Sequence, residues 1–116
     1  MNKILSILLI AGISFAEFGQ NILQYEEFDW KYIQNDYFDI YFYDNGFIHS
    51  QLVDQESSNA YEKISNRLNW DLSERYSIIL HNSHNDFQQT NVINMYMREG
   101  IGGVTELYKN RIVIPF

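Results

Sequence analysis

The spacing of apolar residues changes along this chain, and that change restricts its fold more than any other feature. Residues 28–33 and 38–43 alternate at a period of two, with aromatic side chains on both faces, which predicts two strands. Asn35-Asp36 between them predicts a hairpin turn, and residues 44–46, Asp-Asn-Gly, predict the end of the second strand. The first third of the chain is therefore expected to form a β-hairpin.

A helical period follows over residues 48–68, where one apolar stripe predicts a long amphipathic helix that faces the core. The stripe consists of Val53, Ala60, Ile64 and Leu68, with Tyr61 beside it. Residues 76–81 then predict a third strand, whose Ile-Ile-Leu centre indicates burial on both faces. Residues 104–107 and 111–116 predict a second hairpin, turned at Lys109-Asn110. Together these elements predict an α+β fold, in which one long amphipathic helix packs on a mixed β-sheet.

The first sixteen residues have the pattern of a signal peptide. Lys3 precedes a continuous apolar run at residues 4–15, and Ser14-Phe15-Ala16 predicts cleavage between Ala16 and Glu17. The run is short for a membrane-spanning helix, which needs about 20 apolar residues, and the alternative to a cleaved signal peptide is an uncleaved N-terminal anchor. The protein is therefore expected to be exported, to the periplasm or cell envelope.

The charge of the chain argues against nucleic-acid partners, and its lack of cysteine excludes disulfide bonds. Cleavage would remove Lys3, so the net charge of −7 would become −8 over residues 17–116. An acidic chain of this kind lacks the basic surface that nucleic acid requires, so no nucleic-acid partner is expected. The chain has no cysteine, so no disulfide can support the core in an oxidising compartment.

The segment HNSHND, residues 81–86, is the strongest candidate for a metal site. It offers two imidazoles and one carboxylate, whereas a zinc site needs three or four convergent ligands. Asn85 and Asp86 are each followed three residues later by a glutamine, Gln88 or Gln89, which is the spacing of a capping box. The sequence therefore predicts a polar elbow between strand and helix, with no catalytic residue, metal ligand or cofactor.

Two further patterns are weaker. The Gly-Ile-Gly-Gly run at residues 100–103 precedes a strand and not a helix, so it lacks the geometry of a phosphate loop. It is expected to supply unusual backbone angles before the second hairpin. The 19 aromatic residues could line a sugar-binding surface, but most occupy alternating strand positions typical of core and cross-strand pairs. No pattern identifies a substrate-binding residue.

Four blocks of sequence carry a resemblance to a known family. They are WKYIQNDYFDIYFY, AYEKISNRL, IILHNSHNDFQQTNV and GIGGVTELYKNRIVIPF. Together they resemble the N-terminal part of exported bacterial envelope proteins that join a peptidase MA-like, gluzincin-type domain to a TolB-type β-propeller. The similarity extends from about residue 18 to residue 116. It implies a zincin-like N-terminal subdomain, whose strand at residues 111–116 is followed by a helix carrying the zinc-binding motif HExxH.

That motif lies outside this sequence, because no two of the three histidines are four residues apart. The resemblance implies that residues 17–116 are a truncated, non-catalytic scaffold portion of a zinc-metallopeptidase-like protein. Its partners would be the downstream part of its own chain and, in the intact protein, zinc and a peptide or envelope protein. The strand at residues 103–107 would be the edge strand that pairs with extended substrate. The alternative is a non-catalytic periplasmic or outer-membrane-associated binding or scaffolding protein.

Overall fold

The computed structural model describes residues 26–90, 98 and 100–116, so the predicted signal peptide lies outside the described residues. The described strands form one five-stranded sheet, in the order β1-β2-β3-β5-β4. The elements, in chain order, are β1 (Lys31–Gln34), β2 (Phe38–Phe42), α1 (Phe47–Leu68), β3 (Tyr76–His81), α2 (His84–Gln88), β4 (Val104–Glu106) and β5 (Arg111–Pro115). A short 3-10 helix, Leu107–Lys109, joins β4 to β5.

The sheet is mixed, as the sequence predicts. β1 pairs with β2, and β4 with β5, in antiparallel hairpins. β3 pairs in parallel with β2 on one side and with β5 on the other. The α+β fold, with one long helix on a mixed sheet, is therefore confirmed. β4 lies at one edge of the sheet, whereas β5 has a strand on each side.

The larger core lies between the sheet and α1. It contains the inward side chains of β2 and β3, of which Ile40 and Leu80 are completely buried. Val53 and Tyr61 of α1 pack against this cluster. The other face of the sheet has a smaller core, in which Phe87 of α2 contacts Val113 of β5. A sheet whose central strands are buried on both faces needs a covering layer on each side, and the two helices provide it.

The predicted helix is present, but its predicted core-facing stripe is wrong at three positions, whereas Val53 and Tyr61 do pack against the core. Ala60, Ile64 and Leu68 are exposed, the last two by 54% and 66% of their surface. The buried or half-buried positions of α1 are instead mainly small or polar, namely Ser50, Val53, Asp54, Ser57, Ser58, Tyr61 and Ser65. One reason is length. A 22-residue helix is about 33 Å long and a five-residue strand about 17 Å, so the last turns of α1 extend beyond β2.

Asn35 organises the turn between β1 and β2. Its side-chain Oδ1 accepts hydrogen bonds from the backbone N–H groups of Tyr37, at 2.9 Å, and Phe38, at 2.7 Å. Its Nδ2 donates to Asp54 Oδ1 at 2.8 Å and to Ser58 Oγ at 3.1 Å. An asparagine side chain can imitate a backbone turn in this way, and here it also ties that turn to α1.

Arg75 holds the same turn from the start of β3. Its guanidinium donates to the backbone carbonyl oxygens of Asn35, Asp36 and Phe38 at 2.8–3.0 Å. It also donates from Nε and Nη2 to Asp39 Oδ1, at 3.1 and 2.6 Å. These hydrogen bonds lower the pKa of Asp39, because they favour its ionised form. The predicted Asn35-Asp36 turn is thus fixed by contacts from both α1 and β3.

Among the residues that the structure describes, three non-glycine residues adopt left-handed backbone angles, and each follows a helix or strand. Asp44, with φ 46°, follows β2 and Tyr43, and Asn69, with φ 48°, caps α1. Asn110, with φ 50°, turns the second hairpin, and its Nδ2 donates to Glu74 Oε2 at 2.7 Å. Asparagine and aspartate tolerate this conformation better than most residues, so they can end these elements without glycine.

We expect Asn35→Ala to lower the free energy of unfolding by about 2 kcal/mol, because it removes four partly buried hydrogen bonds at once. The measurement is urea unfolding followed by circular dichroism. Asn66→Ala, on the exposed side of α1, is the matched control and should change stability by less than about 0.5 kcal/mol. Equal stability of the two variants would show that the Asn35 bonds do not hold the turn.

Candidate functional site

The HNSHND segment forms an elbow between β3 and α2. β3 ends at His81, and α2 begins at His84. The N-cap is Ser83, whose Oγ accepts a hydrogen bond from the backbone N–H of Asp86 at 3.1 Å. The predicted elbow is present, but the predicted capping by Asn85 or Asp86 is wrong. Helix α2 starts earlier because Ser83 keeps extended backbone angles and satisfies an N–H of the first turn.

Tyr43 joins the elbow to the end of β2. Its side chain is 2% exposed, and its hydroxyl donates to Asp86 Oδ2 at 2.6 Å. The same hydroxyl accepts from the backbone N–H of Asn82 at 2.8 Å, and Asn82 Nδ2 donates back to the Tyr43 carbonyl oxygen at 3.3 Å. Burial and the hydrogen bond to Asp86 both raise the pKa of Tyr43, because they disfavour the phenolate. Tyr43 therefore stays protonated and acts as a hydrogen-bond donor.

His81 lies beneath this hydrogen-bond network and is 3% exposed. Its ring is surrounded by the rings of Phe28, Trp30, Tyr43 and Phe87, with centroids 5.5–6.3 Å away. Burial lowers the pKa of His81 to about 4, although the negative charge of Asp86 acts in the opposite direction. At neutral pH His81 is consequently an uncharged member of an aromatic cluster.

Two imidazole nitrogens at the elbow, His81 Nδ1 and His84 Nε2, are buried without a hydrogen-bond partner. Unpaired ring nitrogens are potential metal ligands. Within residues 26–90, 98 and 100–116, however, no three His, Cys, Asp or Glu side chains are grouped so that they could hold a metal ion. His49 lies apart from the elbow. Its ring stacks on that of Phe116, with centroids 4.4 Å apart. The bonds that hold the elbow are the Ser83 cap and the hydrogen bonds of Tyr43 to Asn82 and Asp86.

Sequence reasoning missed the central role of Tyr43. The sequence did contain one indication. Tyr43 is two residues after Tyr41, so both side chains lie on the same face of the sheet, which is the face of His81. The contact with Asp86 spans 43 residues and depends on the parallel pairing of β2 with β3. No local pattern encodes that pairing.

The glycine-rich run behaves as predicted at Gly103. This residue has φ 157° immediately before β4, and a Cβ atom there would lie 3.1 Å from the carbonyl oxygen of Val113. Glycine therefore allows the close approach of β4 to β5. Its role is to form the hairpin.

Comparison with protein-family profiles, curated proteins and solved structures finds no match to this chain. In the described part of the chain, no helix combines the length and hydrophobicity needed to cross a membrane.

We expect His81 to make stability depend on pH. Its pKa is 6.5 when unperturbed and about 4 in the folded protein, so the unfolded chain takes up a proton first as the pH falls. Stability should be full above pH 6.5 and decline to about pH 4, with a total loss from this group of about 3 kcal/mol.

The measurement is urea unfolding at pH 7 and pH 4.5 for the wild-type chain and for His81→Phe. The variant should lose less stability than the wild type on acidification, because phenylalanine cannot take up a proton. His49→Phe, which alters an exposed imidazole, is the matched control. The same pH dependence in His81→Phe and wild type would contradict a buried neutral His81.

Proposed function

We propose that residues 17–116 form the non-catalytic scaffold portion of an exported, zinc-metallopeptidase-like envelope protein. In this proposal, a downstream helix that carries HExxH packs beside α1 on the sheet. That helix would supply both histidine ligands of the zinc ion and the glutamate that activates bound water. Residues 17–116 would position that helix and would themselves perform no chemistry.

The observation that carries the proposal is the exposed apolar flank of α1. Asp54 and Ser58 contact Asn35, so this side of α1 is directed toward the β1–β2 turn. Helix geometry places Ala60 and Ile64 about 80–160° away from Ser58 and Asp54, on the opposite flank. His49, near the same flank, stacks on Phe116 just after β5. The exposed flank is therefore directed toward β5.

The facing wall of this region is also apolar. Ile112 and Ile114 are in register with Ile78 and Leu80 of the larger core, so they lie on the α1 face of the sheet. Both are only partly buried. An amphipathic helix laid between the α1 flank and β5 would cover Ala60, Ile64 and these two isoleucines together. Such burial stabilises by about 25 cal/mol per Å² of apolar surface.

The resemblance of four sequence blocks supports the identity proposed for that helix, and the coding sequence after Phe116 tests it directly. We expect the gene to encode an HExxH motif within about thirty codons after Phe116. A stop codon at that point, or a downstream segment without a helical HExxH pattern, would contradict the proposal.

Substitution tests the packing itself. We expect Ile64→Lys to destabilise the chain that includes the downstream helix by about 2 kcal/mol, because it places a charge in the new interface. In residues 17–116 alone the same change should be nearly neutral. The measurement is thermal or urea unfolding of both lengths by circular dichroism.

Ile48→Lys is the matched control, because Ile48 is 75% exposed and lies on a different side of α1. It should be nearly neutral in both lengths. The longer chain should also be more stable and less prone to aggregation than residues 17–116, in which the apolar flank of α1 is uncovered. An equal effect of the two lysine substitutions in the longer chain would contradict helix packing on this flank.

A further inference from the structure

The sheet face opposite α1 carries a polar row that crosses all five strands. Strand register aligns one residue from each strand, and the row consists of Gln34, Asp39, Ser77, Arg111 and Glu106. Two residues further along, the neighbouring row is aromatic and aliphatic, and it consists of Tyr32, Tyr41, Ile79, Val113 and Val104. A polar and an apolar row thus lie side by side, about 7 Å apart.

The two carboxylates of the polar row are already paired. Asp39 binds Arg75 and accepts a hydrogen bond from Gln34. Glu106 binds Lys109 at 2.9 Å and also binds Arg111. The row and its partners therefore contain three cationic and two anionic groups. This local surplus of one positive charge stands out in a chain whose net charge is −7.

A groove of about 270 Å³ opens over the junction of these two rows. It is lined by Trp30, Tyr41, Ser77, Ile79 and Arg111. The Trp30 indole N–H, the Tyr41 and Ser77 hydroxyls and Nη1 of Arg111 make no hydrogen bond to other described residues. The groove thus combines the rings of Trp30 and Tyr41 and the side chain of Ile79 with the Ser77 hydroxyl and the Arg111 guanidinium, which belong to the polar row.

We propose that this groove binds a small aromatic carboxylate. The ring of the ligand lies on Ile79 between Trp30 and Tyr41, and its carboxylate accepts hydrogen bonds from Arg111 and Ser77. The separation of the two rows fits a single ring that bears its carboxylate directly or through one carbon. The volume lies just below the range of pockets for drug-sized ligands, which favours a one-ring compound.

The available hydrogen-bonding groups favour an anion over a hydroxyl-rich ligand such as a sugar. A sugar hydroxyl needs acceptors as well as donors, and the only side-chain acceptors in the groove lining are the hydroxyls of Tyr41 and Ser77, because no carboxylate lines it. Arg111 can only donate, and its charge complements a carboxylate. The planar walls can stack on an aromatic ring.

The chain contains a built-in reporter, because it has two tryptophans and only Trp30 lines the groove. The test measures tryptophan fluorescence of the full chain during titration with phenylacetate. The excitation wavelength is one that phenylacetate does not absorb. In Trp70→Phe, where Trp30 is the sole indole, the fluorescence should change saturably with phenylacetate. In Trp30→Phe no saturable change is expected. The neutral isostere phenylacetamide should bind Trp70→Phe about tenfold more weakly, or worse.

Arg111→Gln in the Trp70→Phe background should weaken phenylacetate binding about tenfold, because it removes the charge while Lys109 still pairs with Glu106. Arg67→Gln in the same background is the matched control. It removes an exposed arginine charge from the last turn of α1, on the other face of the sheet, and it should leave phenylacetate affinity within about twofold.

Circular dichroism of each variant establishes that it is folded. If a variant does not fold, the comparison of phenylacetate with phenylacetamide still decides, since it uses an unchanged groove. Equal affinity for the two compounds, or no saturable change in Trp70→Phe, would overturn the proposal. Phenylacetate binding that survives in Arg111→Gln would overturn the assigned role of Arg111.

Discussion

The parallel pairing of β3 with strands on both sides is the constraint on which the rest of this fold depends. Parallel neighbours cannot be joined by a tight turn, so a crossover is needed between β2 and β3, and α1 provides it. A strand paired on both sides and apolar on both faces must also be covered above and below. The residues after β3 therefore return at once over the opposite face as α2, where Phe87 closes the smaller core.

On that opposite face, the same strand supports two different environments. At its carboxyl end, His81 is enclosed by aromatic rings, and Tyr43 holds the elbow through Asp86. At its amino end, Ser77 and Ile79 form the floor of the open groove. Trp30 belongs to both environments, because its ring contacts His81 and lines the groove. A ligand in the groove would therefore contact the same Trp30 ring that packs on His81 at the elbow.

The sequence predicted the elements well, because each has a local cause. Alternation at residues 38–43, the Asn35-Asp36 turn, the apolar centre of β3 and Asn110 in the second hairpin all act within a few residues. These signals place the elements without any knowledge of their neighbours. The strand bounds of β3 are reproduced without a shift.

The buried side of α1 and the groove could not be predicted in the same way. The apolar stripe of α1 was expected to face the core, but Asn35 binds Asp54 and Ser58 on the polar side of the helix and helps to fix its rotation. The groove requires that Ser77 be aligned with Arg111, two residues 34 positions apart. Pairing over such distances depends on tertiary packing, which local periodicity does not contain.

The left-handed residues at the ends of β2, α1 and the second hairpin have a consequence for engineering. A non-glycine residue in this conformation carries roughly 1 kcal/mol of strain, and glycine would relieve it. Asn110 also donates a hydrogen bond to Glu74, so glycine there would relieve the backbone strain but lose that hydrogen bond. The side chains of Asp44 and Asn69 make no hydrogen bond within the described residues, so glycine at these two sites has less to lose. They are the places where this small fold can be reinforced while its groove, elbow and helix flank stay unchanged.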